Sequence, residues 1–584
     1  LNYNSSSLRE AATISVTSPI MASLAKSPLQ NPYQYDVDGN EISSIAQVDD
    51  IGVSNPLAII ENYKGDQNNY NFITSLGLEG IINKDLTINS NFSLTYNVLK
   101  EILFLPNRGM ELYYNDEAIN VSKATNNDLN SFYNNTYLLF NKNIGSDHSF
   151  TSNTGVHVQT NKYEFDWGLT KNAHQNDEYR TLQDGQSSLR EIGGENRNWN
   201  WFSLYEYITY AFKDRYLLSG SISIDGSSRI GDNALNTIEI LGEPLGVFYS
   251  AGVAWRASNE FFLKKYSWLE DLKFRLTYGK TGNDDIGESS ASNYYAAIKF
   301  RETVGLYPAA VPNPELSYEV VNQLNAGVDV SLFGNRITAS ANIFRSTTDD
   351  MLIFSPLESY LGYDYRLENG GKMENTGWEF NTFIRLFNGN KFKWDISANL
   401  ASVKNEIIEI KGNMLTTSLP GGEVVNMEGE VANSFYGYIY KGVYATSQEA
   451  EEANLLNDRA MRFRAGDAIY EDISGPNGES DGVINEYDKT IIGSSMPDLF
   501  GGLTNAFTYG RWHLQASLYF QKGNDVFNYV RYKNEQMTGL ENQSSHVLDR
   551  WQYQGQETDV PRALWNDPMG NSAFSTRWIE DGSF

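Results

Sequence analysis

Leu86-Thr87-Ile88-Asn89-Ser90-Asn91-Phe92-Ser93-Leu94-Thr95-Tyr96-Asn97 alternates without a break. Leu86, Ile88, Ser90, Phe92, Leu94 and Tyr96 fall on one face; Thr87, Asn89, Asn91, Ser93, Thr95 and Asn97 fall on the other. A period of two marks a strand, because successive side chains leave a pleated backbone on opposite sides. A soluble sandwich alternates in the same way, so the information lies in what occupies the polar face. That face carries no charge. Small uncharged polar groups opposite a nearly unbroken apolar face are what a barrel wall needs when it meets water inside and hydrocarbon outside.

The pattern recurs along the chain. Leu272, Phe274, Leu276 and Tyr278 alternate with Lys273, Arg275 and Thr277; Leu324, Ala326, Val328, Val330 and Leu332 alternate with Gln323, Asn325, Gly327, Asp329 and Ser331. Phe392 to Leu400 and Trp512 to Gln521 repeat it. Short polar turns follow or precede these runs at Asn83-Lys84-Asp85, Lys213-Asp214-Arg215, Gly334-Asn335-Arg336, Asn388-Gly389-Asn390 and Gly510-Arg511, and each closes a hairpin. Between hairpins lie long polar segments, read as 97–131, 161–198, 279–318, 345–375 and 411–500. Tight turns at one end and elaborated loops at the other are the asymmetry of outer-membrane barrels.

Composition agrees. The 584 residues hold 45 Lys and Arg against 73 Asp and Glu, a net charge of −28, with no cysteine and 5 histidines. Without cysteine there are no disulfides, thiolate metal sites or thiol nucleophiles, and so acidic a chain repels a phosphate backbone, which excludes nucleic-acid binding. Aromatics reach 13%, led by 37 tyrosines, whose apolar ring and polar tip suit strands and membrane interfaces. Glycine at 48 against proline at 15 favours tight turns over interrupted ladders, and long helices are not expected. No apolar run reaches the length of a membrane-spanning helix, which leaves a membrane-spanning barrel open. The chain opens at Leu1 without a basic-then-apolar leader and reads as a mature chain or a fragment.

Several strings resemble a known family. Tyr278-Gly279-Lys280-Thr281-Gly282-Asn283 is similar to the YGxTGN signature of the SusC-like (SusC/RagA) TonB-dependent outer-membrane transporters of Bacteroidota. Asp214–Leu218, Asp225–Arg229, Ser250–Arg256, Pro312–Leu316, Glu374–Glu379, Ser434–Tyr438 and Arg577–Phe584 follow in that family's order. The resemblance implies an all-β, antiparallel transmembrane barrel of about 22 strands with a plugged lumen. It also implies an N-terminal plug, a TonB-contacting segment and a SusD-like surface lipoprotein as lid. Neither the plug nor the family's last strands is recognisable here, so residues 1–584 read as one transmembrane barrel domain, truncated at both ends relative to the family.

Candidate sites are few. Glu471–Asp488 resembles a stretched calcium loop, in which Asp472, Ser474, Asn477, Asp481 and Asp488 are the oxygen donors a Ca2+ ion would take. Its spacing departs from the 12-residue EF-hand, which favours a solvated acidic loop. Tyr360, Tyr363 and Tyr365 offer ring faces for substrate or partner contact, against the alternative of loop self-packing. Trp199 and Trp201 precede a strand as an interface girdle, and Gly193-Gly194 and Gly421-Gly422 are turn glycines. The histidines are too scattered for a zinc site. The pairs Asp284-Asp285 and Asp349-Asp350 do not make a glycosidase, since strand neighbours point to opposite faces. No catalysis and no cofactor beyond that Ca2+ is expected. The family implies TonB-dependent import of oligosaccharide or peptide across the outer membrane; the alternative is a surface adhesion or structural protein anchored there by a barrel.

Overall fold

The computed structural model describes residues 2–7, 18–48, 52–110, 118–173, 181–287, 290–292, 295–300, 303–308 and 310–584. Fifteen strands follow one another in a single antiparallel path that keeps chain order throughout. They are β1 (Asn2–Ser7), β2 (Lys64–Asn83), β3 (Leu86–Pro106), β4 (Asn120–Ile144) and β5 (His148–Lys171). Next come β6 (Glu191–Phe212), β7 (Tyr216–Ser227), β8 (Glu243–Arg256), β9 (Leu269–Asn283) and β10 (Glu319–Leu332). The path ends with β11 (Ile337–Asp349), β12 (Gly371–Asn388), β13 (Phe392–Ile410), β14 (Leu499–Tyr509) and β15 (Trp512–Lys522). Beyond its two ends the chain meets itself. The short helix Pro19–Ala25 packs against the helix Tyr529–Glu535, and the Asn542 side-chain amide donates to the Ser23 carbonyl at 3.4 Å.

The register sorts the side chains into an outer and an inner surface. Val253, Leu276, Ala326, Ile343 and Trp378 stand side by side in one row across β8 to β12. They are on the outer surface, and Val253 at 50%, Leu276 at 47% and Ile343 at 64% are left in the open. A contiguous exposed apolar sheet is a liability in water and a requirement in hydrocarbon. On the inner surface Arg275 donates from Nε and Nη2 to the two oxygens of Asp329 at 2.8 and 2.9 Å, and from Nη2 to Asn342 at 2.8 Å. Gly327 stands between them because a Cβ there would lie 2.9 Å from Arg275 Nη2. Lys273 also reaches Asp329, and Arg385 pairs with Asp395. These lumen charges are therefore neutralised in pairs.

Buried apolar side chains gather at the long-loop ends of the wall strands and in the bodies built by the long loops. One cluster includes Ala58, Ile59, Tyr63, Met110 and Val121, and another Tyr444, Phe463, Ala468, Tyr470 and Ile484. The wall itself needs no such core, since its outer face is covered by lipid rather than by protein.

Several sequence expectations are corrected. The loops read as 97–131 and 161–198 shrink, because β3 runs to Pro106, β4 starts at Asn120, β5 ends at Lys171 and β6 starts at Glu191. Above the hydrocarbon band both faces meet water, so the hydropathy alternation fades while the hydrogen-bond ladder continues. Trp199 and Trp201 accordingly lie inside β6 instead of before it. Gly193 and Gly194 are strand residues too: a Cβ on Gly193 would meet the Trp167 indole at 2.5 Å. Gly421, with φ +75°, does occupy a turn as read. The connection between β8 and β9, residues 257–268, is longer than the other turns at its rim and includes the 3-10 turn Ala257–Asn259.

The two faces should respond oppositely to charge. Leu276→Arg, on the outer face, is expected to destabilise the folded barrel by roughly 2–4 kcal/mol, while Thr277→Arg on the inner face should cost about 1 kcal/mol or less. Urea titration of the full-length protein in liposomes, read by tryptophan emission, measures both; equal costs would contradict the assigned orientation.

Candidate functional site

Of the strings that carry the family resemblance, Asp214–Leu218 and the end of Ser250–Arg256 meet at the short-turn end, while Asp225–Arg229, the end of Tyr278–Asn283 and Pro312–Leu316 meet at the long-loop rim. Ile230, Phe248, Ile286, Leu316 and Tyr318 form one buried cluster there. Gly246 is required beside it, because a Cβ would lie 2.7 Å from Phe248 and 2.9 Å from Tyr318. Tyr318 donates its hydroxyl to the Asp225 carbonyl at 3.0 Å, and Gly231 N–H and Asn233 N–H donate to the carbonyls of Leu316 and Pro314. Sequence order alone does not bring 225–233, 246–248 and 312–318 together; the hairpin registers do.

This cluster anchors a second hairpin, Leu352–Pro356 paired with Tyr365–Asn369. Asn369 accepts from Ser317 N–H at 2.8 Å and donates to the carbonyls of Ser317 and Asp350 at 3.0 and 2.8 Å. Asn313 donates to the Leu367 carbonyl and accepts from Arg366. The amide side chains replace the ladder bonds that a hairpin standing outside the wall lacks.

Between this hairpin and Tyr295–Phe300 with Thr303–Pro308 lies an open cleft of about 440 Å³, lined by Tyr307, Pro308, Gly362, Tyr363 and Tyr365. Tyr363 donates its hydroxyl to the Pro308 carbonyl at 2.9 Å, tying the two walls together. Tyr365 meets Phe354 edge to face at 4.8 Å and leaves its own ring half exposed. Gly362, at φ +77°, turns the chain between Tyr360 and Tyr363. The sequence-flagged Tyr363 and Tyr365 thus share a cleft, whereas Tyr360 stands 83% exposed beside it and does not line it. Tyr307 was missed, and nothing in its local sequence distinguishes it. Ring faces and a hydroxyl fixed by a carbonyl can stack and orient a ligand.

The other flagged residues have local partners. Asp488 is fully buried and accepts from the backbone N–H groups of Ile473, Ser474 and Asn485. Asp472 accepts from the Ser480 hydroxyl and Gly482 N–H, and Asp481 from Val483 N–H. Ser474 hydroxyl donates to the Gly475 carbonyl, and Asn477 lies in the exposed turn before Gly478. The carboxylates thus shape the loop through its own donors, and among the described residues no group of three or more His, Asp or Glu side chains is placed to hold a metal. Asp350 accepts from Asn236, Asp349 pairs with Lys372, and Asp285 pairs with Arg229. His148 bonds Tyr210, His157 packs between Tyr133 and Trp201, His513 faces Thr508 and His546 pairs with Glu535. His174 lies outside the described residues.

Comparison with known proteins follows the same lines. Residues 21–421 match the family model described as TonB dependent receptor-like, beta-barrel. TonB-dependent receptor P26 of Formosa agariphila is 27% identical over 547 residues, covering 91% of this chain and 52% of the relative. TonB-dependent receptor SusC of Bacteroides thetaiotaomicron is 28% identical over 370 residues, covering 59% of this chain and 34% of the relative. The chain spans about half the length of the first of these relatives and a third of the second. The structure of the RagAB peptide transporter superposes with a TM-score of 0.75 at 21% identity, over 95% of this chain and 58% of that one.

Two measurements test the cleft's support. Asn369→Ala leaves up to three backbone groups unpaired, at roughly 1–3 kcal/mol for each one buried, and is expected to accelerate amide exchange across 352–369 without loosening β11 or β12. The second concerns Glu368, on the same hairpin. Burial disfavours its ionised form, but the Lys411 ammonium 2.6 Å away outweighs this and holds the carboxyl below its ordinary value of 4.5. A depressed folded value means the contribution is complete above 4.5 and is lost as the pH falls below it. Intrinsic-rate-corrected exchange over 365–369 should therefore be faster at about pH 3.5 than at pH 7, and Lys411→Met should remove most of the difference.

Proposed function

The chain belongs to the TonB-dependent receptor-like β-barrel family, and on that premise we propose that it forms most of the barrel wall of an energised importer in the outer membrane. The observation that carries this reading is the two-sided wall: an exposed apolar exterior around an inner surface of hydroxyls, amides and paired charges. Such a surface hydrates a path for polar cargo without holding it by uncompensated charge. The cargo is an oligosaccharide or a peptide, received from a SusD-like surface lipoprotein at the long-loop rim. TonB acts on a plug carried by the longer protein, and no bond of the cargo changes, so directionality comes from work done on a two-state element. The cleft of Tyr307, Tyr363 and Tyr365 is a contact point for cargo or lipoprotein on the barrel's own loops.

Uptake by intact cells tests the reading. Deleting the full-length protein should abolish accumulation of fluorescent oligosaccharides or peptides that wild-type cells import, and collapsing the inner-membrane proton gradient should do the same in wild type. Uptake of both cargo classes that is untouched by deletion would leave the anchored adhesion or structural protein as the better account.

A further inference from the structure

The connection between β8 and β9 presents what a soluble turn hides. Residues 259–268 read Asn-Glu-Phe-Phe-Leu-Lys-Lys-Tyr-Ser-Trp. Phe261 is 88% exposed and Phe262 56%, while Tyr266, Trp268 and the neighbouring Phe333 are close to half exposed. The segment is nevertheless tied down. Ala257 and Ser258 are buried, the Ser258 hydroxyl donates to Asp271 at 2.9 Å, and the Asn259 amide donates to the Asp214 carbonyl at 2.8 Å. Leu263 N–H and Lys264 N–H both donate to the Glu260 carbonyl at 3.0 Å, and Phe333 N–H donates to that of Trp268 at 2.8 Å. Glu260 fixes which side of the wall the segment covers, because it accepts from the Tyr216 hydroxyl at 2.7 Å and from the Trp255 indole at 3.3 Å. Trp255 shares the outer face of β8 with Val253, and Tyr216 stands opposite it on β7. The aromatic turn therefore lies on the lipid side, just beyond the last outward rings, at the height of the headgroups.

Charge on this rim runs against the rest of the chain. The short turns, over 84–85, 142–147, 213–215, 256–271, 334–336, 385–395 and 510–511, hold 12 Lys and Arg against 7 Asp and Glu, in a chain whose net charge is −28. Lys142, Lys213 and Arg256 are paired with Asp85, Asp147 and Asp214. Lys264 and Lys265 are exposed, and among the described residues no carboxylate pairs with either. Glu260 and Asp271 are taken by Arg215 and Arg256, and Glu270 accepts from Gly334 N–H. Lys265 Nζ lies 5.0 Å from the centroid of the Tyr266 ring, a position that keeps its N–H donors for an anion. Exposed rings beside unpaired ammonium groups at an interface match one class of ligand, an amphiphile with acyl chains and a phosphate. We propose that the turn 257–268 binds anionic phospholipids of the periplasmic leaflet, with Phe261 and Phe262 among the upper acyl carbons and Lys264 and Lys265 on the headgroup phosphates. The bound lipid covers rings that would otherwise face water. The site rests on insertion of the barrel in a membrane and is independent of its cargo.

The chain has no cysteine, so single thiols report without background. Ser267→Cys in this turn, Ser146→Cys in another short turn and Leu276→Cys on the outer wall are each labelled with bimane, and the full-length protein is reconstituted in phosphatidylcholine liposomes. Equal small fractions of phosphatidylglycerol or phosphatidylcholine with a nitroxide high on the acyl chain serve as quenchers. The label at 267 should be quenched by both, and roughly threefold or more better by phosphatidylglycerol, since each lysine near an anionic surface is worth about fivefold in occupancy before salt screens it. Labels at 146 and 276 should show no such preference. Lys264→Gln with Lys265→Gln should remove the preference at 267 while quenching by nitroxide phosphatidylcholine persists. The proposal is overturned if neither lipid quenches at 267, if both quench alike, if the label at 146 shows the same preference, or if the preference survives the glutamine pair. Its abolition by inorganic phosphate at matched ionic strength also overturns it, by making the free ion the ligand. Quenching at 276 reports barrel insertion separately: loss at 267 alone strikes the lipid site, and loss at both strikes the membrane reading. The comparison of 267 with 146 leaves every ring and both lysines in place, so the test stands even if the glutamine pair does not fold.

Discussion

The backbone ladder is the constraint on which the rest of this molecule depends. A strand whose outer side chains face hydrocarbon has no water to satisfy its N–H and C=O groups, so each must pair with a neighbouring strand. From β2 to β14 every strand has a partner on both sides, and the path never leaves chain order. That simplicity has a physical origin: hairpins with tight turns are the shortest way to give each new strand a partner as it is added. The regions that lack such a ladder, the hairpins at the long-loop rim, substitute the side-chain amides of Asn313 and Asn369 for it.

Charge is distributed according to the same division. In the lumen, ionised groups stand beside opposite partners, as Arg275 and Lys273 do beside Asp329, so a polar passage is kept without a strong field across it. In the loop bodies charge works as structure: Asp467, fully buried, is held by Arg562 through two bonds of 2.7 and 3.0 Å and by Asn571. The same residue types serve hydration in one place and fixed geometry in the other because the dielectric surroundings differ.

The family strings gain a physical explanation from this arrangement. At the rim, Asp225–Arg229 and Pro312–Leu316 act as joints. Asn313 with its flanking prolines, together with Gly246, Phe248 and Tyr318 outside those strings, locks several hairpins into one platform at the rim. The cleft beside that platform is built by the hairpins over 295–308 and 352–369, which lie outside the quoted strings.

The alternation at Leu86–Asn97 and its repeats determined the strands, their two faces and the hairpin order, because period two is imposed by the pleat itself and the polar inner face by the need for a wet lumen. Composition determined what the protein lacks the means to do with thiols or with nucleic acid. Strand ends were not legible where both faces meet water, since hydropathy then carries no contrast; Trp199 and Gly193 were misplaced for that reason. Nor was the cleft: Tyr307 meets Tyr363 across a sequence gap bridged only by folding, and Tyr360, close in sequence, is turned aside by Gly362. Local periodicity fixes which way a side chain points, but only register between strands decides what it meets.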